Sequence, residues 1–149
     1  MRLFGHPLHP MLVHFPVACW TLAAVSDGIA MSGFDVTWPS GWLLLAIGLC
    51  AAVPAMAAGF IELQLLPEAA ERDGQAHMVL MAVAWSAFLV ALVTRLENGS
   101  PMEEPGLASM VSVWAGMLAM AAGGWFGGRL VYTHGAGRVS GKAVQEKRG

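Results

Sequence analysis

The sequence predicts an all-α integral membrane protein, a four-helix up-down bundle with little mass outside the bilayer. Three observations predict it. The 149 residues are 56% hydrophobic and only 12% charged, against about 25% charged in soluble domains, and the mean hydropathy is +0.60. Four apolar runs each approach the ~20 residues that cross a hydrocarbon core about 30 Å thick. The stretches between them are short and rich in turn formers, which forces neighbouring helices to run antiparallel.

The first run, Leu8–Met31, is too long for the apolar part of a signal peptide, and the first ten residues carry two His-Pro pairs, so it reads as a retained helix. The second, Trp42–Ile61, carries Pro54 as the first carries Pro16, and each proline removes one backbone hydrogen bond and kinks its helix. The third is Gln75–Thr94. The fourth, Leu107–Val131, contains Gly123, Gly124, Gly127 and Gly128, a stripe that lets another helix or a flat ligand approach its backbone. Helix packing is the commoner use, and it makes a homodimer an option. The four spans form one domain over residues 1–139, and residues 140–149 form a polar tail. The outer face of such a bundle meets the lipid bilayer.

Orientation follows from the cations. Both termini and the second loop share one side, which holds Arg2, Arg72, Arg129, Arg138, Lys142, Lys147 and Arg148; the other side holds Arg95 alone. The positive-inside rule then puts both termini in the cytoplasm. A net charge of −2 argues against nucleic acid as a partner. Cys19 and Cys50 lie in apolar runs without CxxC spacing and read as small buried hydrophobes. Ser26 and Ser112 have no accompanying base, and no phosphate-binding loop or Rossmann fingerprint occurs. An electron-transfer or binding subunit is therefore expected rather than a stand-alone enzyme.

The functional signal is histidine. All five, His6, His9, His14, His77 and His134, fall toward the cytoplasmic end of the expected bundle. Ionisable side chains in a span are costly and mark functional sites by default. Imidazole is the commonest metal ligand, and two on facing helices can hold a haem iron. The expected ligands are two of His14, His77 and His134, which lie at similar depth, with Arg72 and Arg129 placed to pair with haem propionates. Trp125 and Phe126 lie near enough to wall a haem. The alternative is a closed zinc or copper site of His9, His14, His77 and His134. A third reading is a cofactor-free structural subunit whose histidines brace polar turns. Glu62 could orient a histidine, and Asp27, near the far face, could cap its helix, meet a backbone donor or take a minor part in a proton relay.

Gly5-His6-Pro7-Leu8-His9-Pro10-Met11-Leu12-Val13-His14-Phe15-Pro16 closely resembles the N-terminal signature of the DUF2231 bacterial membrane proteins. The segment from Gly123 to Gly135, with Arg129 and His134, resembles the same family's C-terminal motif, and Asp27 and Ala76-His77 fit its interior. The resemblance spans nearly the whole chain up to about Val139. It implies a multi-pass protein of the bacterial inner membrane. The histidine-bearing four-helix pattern is in turn similar to the membrane b-type cytochromes, which implies one haem b on His14, His77 or His134 and a quinone or redox protein as electron partner. Many of those cytochromes carry histidines at both faces; this chain has none at the far one.

Overall fold

The computed structural model describes residues 2–3, 6–33, 38–97 and 105–136. The expected tail over 140–149, the side chain of His6 and the Asn98-Gly99-Ser100 sequon lie outside the described part. A two-residue antiparallel pair, β1 (Arg2–Leu3) with β2 (His6–Pro7), leads into the first helix. Four helices follow: α1 (Leu8–Met31), α2 (Trp38–Leu63), α3 (Glu71–Glu97) and α4 (Leu107–Tyr132). All four are long and apolar enough to cross a membrane. The architecture is the expected all-α four-helix bundle.

The apolar runs locate the helices, but two helices extend beyond them. α2 begins at Trp38 and ends at Leu63. α3 takes in Glu71 to Gly74 directly after a 3₁₀ turn over Glu68–Ala70. Glu71 and Asp73 in its first turn complement the positive end of the helix dipole, and Arg95 in its last turn the negative end. Polarity at a helix end is therefore no evidence of a loop. Pro10 falls in the first turn of α1, where the missing N–H costs nothing.

α1 packs closely on α2 and α3 on α4, giving two helical hairpins that meet less extensively. Their core contains Trp20, Leu45, Leu49, Phe88, Val113 and Met120. The hairpins are related position by position at a separation of 68 residues, the separation of Asp27 from Arg95. The same step relates His9 to His77, Trp20 to Phe88, Gly48 to Gly116 and Gly59 to Gly127. These equivalences have structural meaning. The Trp20 and Phe88 rings stack with centroids 4.6 Å apart. A Cβ on Gly48 would lie 2.6 Å from the Trp20 indole nitrogen, and one on Gly116 would lie 2.9 Å from the Phe88 ring. Each hairpin thus uses a glycine at the same place to seat the aromatic ring that meets its counterpart. The bundle has an internal pseudo-two-fold axis along its length, with α1 and α3 facing each other across it. Parallel repeats of this kind are familiar in membrane proteins.

The glycines of α4 divide into two groups. Gly116, Gly123 and Gly127 face α3, whereas a Cβ on Gly124 or Gly128 would meet nothing within 4 Å. Helix packing inside the chain accounts for the first group. Cys19 is buried, but Cys50 is exposed on the outward surface of α2, contrary to the expectation that both are buried.

Candidate functional site

The axis carries three pairs of equivalent side chains at three depths. At one end His9 and His77 meet, with ring centroids 6.0 Å apart and planes at 84°. In the middle lies the Trp20–Phe88 stack. At the other end Asp27 and Arg95 form an ion pair, with both side chains almost fully buried.

The histidine pair is built the same way in each hairpin. His9 donates from Nδ1 to the Ala55 carbonyl on α2 at 2.7 Å, and His77 donates from Nδ1 to the Gly123 carbonyl on α4 at 2.8 Å. Donor and acceptor are 46 residues apart in both cases. One turn beyond each carbonyl is a glycine that gives the ring its seat. A Cβ on Gly59 would lie 2.8 Å from His9 Nδ1, and one on Gly127 would lie 3.1 Å from the His77 ring. The backbone carbonyls fix the tautomer: a carbonyl can only accept, so Nδ1 carries the proton. Each Nε2 therefore keeps its lone pair. This is the form in which imidazole ligates a metal, with its other nitrogen held by the protein.

Glu62 closes α2 beside this pair. Its Oε1 lies 3.5 Å from the backbone N–H of His9, in the first turn of α1, where helical N–H groups lack internal partners. This contact is to the backbone rather than to a ring. One turn before His77, Asp73 Oδ2 accepts from His134 Nε2 at 2.9 Å and forms an ion pair with Arg129, whose Nε lies 3.2 Å away. This second polar layer ties the end of α4 to the start of α3.

The expected ligands therefore separate. His77 is in the pair. His9, expected only as a member of a four-imidazole site, is its partner. His134 is engaged with Asp73, and Arg129 joins it there. Arg72 is exposed, as is His14, which has no hydrogen bond among the described residues. No three of the His, Cys, Asp and Glu side chains among the described residues converge, so the four-imidazole arrangement is not formed. Trp125 is 71% exposed and faces outward rather than lining the pair.

At the opposite end, Arg95 spans three helices. Nη1 donates to Asp27 Oδ1 at 3.3 Å, Nη2 donates to Asp27 Oδ2, and Nε donates to Ser109 Oγ at 2.8 Å. Ser109 passes the network on to the Ala91 carbonyl at 3.0 Å. Gly41 of α2 closes over it, since a Cβ there would lie 2.7 Å from Asp27 Oδ1. Asp27 therefore pairs with a side chain rather than a backbone donor. Arg95 is drawn into the bundle instead of standing in a loop.

This geometry defines a class: a multi-pass membrane bundle made of two pseudo-equivalent hairpins, with an imidazole pair at one end of its axis and a buried ion pair at the other. The DUF2231 profile, described as that of a predicted membrane protein, matches residues 5–140, and the chain belongs to this family. No curated protein and no solved structure matches the chain.

Proposed function

We propose that this chain is a membrane electron-transfer protein in which His9 and His77 would hold the iron of one b-type haem. The observation that carries the reading is the equivalence of the two rings: both Nδ1 atoms are committed to backbone carbonyls, both Nε2 lone pairs are available, and the ring centres are 6.0 Å apart. Two neutral imidazoles, each with its Nδ1 held by a backbone carbonyl and its Nε2 uncommitted, are a donor set whose chemistry suits haem iron. When bound, haem supplies reversible one-electron chemistry.

The rest of the chain has definable tasks. The Ala55 and Gly123 carbonyls orient the ligand rings and raise their basicity. The Trp20–Phe88 stack seals the axis beyond them and keeps the centre in low dielectric. Asp73, His134 and Arg129 form a polar layer one turn nearer the helix ends. Arg95 is drawn into the bundle, and Arg72 and Arg129, the other cations among the described side chains, lie toward the histidine end. This supports placing both termini and the redox centre at the cytoplasmic face of a bacterial inner membrane. A quinone or a redox protein then exchanges electrons with the centre.

The close approach of the rings favours a second reading, a single copper ion between the same two nitrogens. The test is the visible spectrum of the protein purified in mild detergent, oxidised and dithionite-reduced, with metal analysis on the same sample. A Soret band with sharp reduced α and β bands and one iron per chain is the expected result. One copper per chain without those bands selects the second reading, and a colourless sample with neither metal, unchanged by added haem or copper, overturns both.

A further inference from the structure

We propose that the outward face of α1 is the seam of a homodimer in which His14 of one copy hydrogen-bonds to His14 of the other. This inference does not depend on what His9 and His77 hold. His14 lies six residues, about 9 Å, inside the start of α1. That helix is about 36 Å long, a few ångströms longer at each end than the hydrocarbon core. Centred on such a core, the helix places the His14 backbone inside the hydrocarbon edge. The imidazole is exposed and makes no hydrogen bond among the described residues. Met11 (54% exposed), Phe15 (59%) and Leu22 (55%) lie on the same face, so no polar neighbour among the described residues serves it. Ionisable groups in spans are almost always turned to a bundle interior, a partner or water.

The internal repeat supplies a control. The equivalent face of α3 presents Val79, Ala82, Val83, Ser86 and Val90, with Ala82 in the place of His14, and all of them are exposed. That face is what lipid requires. The face of α1 occupies the equivalent position in the repeat but carries a group that lipid does not satisfy. Two properties single out a second copy as its partner. Copies inserted in the same orientation carry His14 at the same depth, and a two-fold interface brings a residue near its axis against itself. Neutral imidazole has one donor and one acceptor nitrogen, so it pairs with its own kind without a buried charge. Ala18, one turn from His14 on the same face, leaves room for close approach.

Full-length protein with Cys19→Ala and Cys50→Ala, reconstituted at high lipid-to-protein ratio, provides the test. Ala18→Cys should form a covalent dimer under mild oxidation, and Ser86→Cys, its equivalent on α3, should not. His14→Ala should weaken dimerisation of the reconstituted protein about three- to twentyfold, the range that interhelical hydrogen bonds in membranes span. His14→Gln, which restores a donor and an acceptor, should recover much of the loss. Equal cross-linking at both cysteine positions, or an unchanged dimer in His14→Ala, would overturn the proposal. So would a protein that stays monomeric at every lipid ratio.

Discussion

At one end of the bundle axis, equivalent positions of the two hairpins carry the same residue, His9 and His77. At the other end they carry opposite charges, Asp27 and Arg95. The backbone frame is shared, so the difference lies in the side chains alone. Two neutral imidazoles meet edge to face, each with an Nε2 that its backbone bond leaves uncommitted. Two opposite charges complete each other, and Ser109 takes the remaining Nε–H. On our proposal the first end is a site, and the second is a lock. The lock also fixes which halves associate, because two copies of the first hairpin would oppose two carboxylates and two of the second would oppose two guanidinium groups.

The largest expected effect falls on the lock. Arg95→Ala leaves Asp27 buried without its partner, and breaking a buried pair in this way costs about 3–5 kcal/mol. The thermal unfolding midpoint in detergent should drop sharply. The double variant Asp27→Leu with Arg95→Met should regain most of the loss, because it leaves no buried charge. If Arg95→Ala alone is harmless, the pair is not a lock.

A smaller effect separates glycines that sit beside one another in α4. Gly127→Leu pushes a side chain into the space of the His77 ring, where even a Cβ would be 3.1 Å away. Overpacking of this kind costs about 1–3 kcal/mol and displaces the ring. Gly124→Leu, on the open side, should leave both stability and any bound centre unchanged. Equal effects of the two in a melting and metal-content assay would refute the division of the glycine stripe.

The sequence makes the spans legible because apolar runs of this length have no soluble explanation. α1 is legible to its end residues, Leu8 and Met31. The ends of α2 and α3 are not, because capping and dipole effects let polar residues continue a helix. The gathering of histidines at one end is legible from antiparallel topology, but their partners are not. Depth counted from loop positions favours His14 as the companion of His77; the repeat register favours His9. These helices are apolar on nearly all sides, so no periodicity shows that His14 faces out and His9 faces in.

The repeat itself is hidden by its own chemistry. Trp20 answers Phe88, Asp27 answers Arg95 and Ala55 answers Gly123, so the equivalent positions differ in residue type where they matter most. The readable trace is that His9, Gly48 and Gly59 recur at the same spacing as His77, Gly116 and Gly127. That trace lies in the order of the residues alone. The pairing of Arg95 with Asp27 leaves none, because a lone arginine beside a short loop carries no sign that it turns inward.

The central proposal is that His9 and His77 are equivalent ligands of one centre, and chemical rescue tests it most directly. His9→Gly and His77→Gly should each lose the metal-dependent spectrum of the purified protein. Added imidazole should restore it to a similar extent in both, because the missing ring is supplied to a preformed gap. His14→Gly and His134→Gly should keep the spectrum without rescue. A spectrum that survives loss of both His9 and His77, or one that depends on His14 instead, would contradict the account.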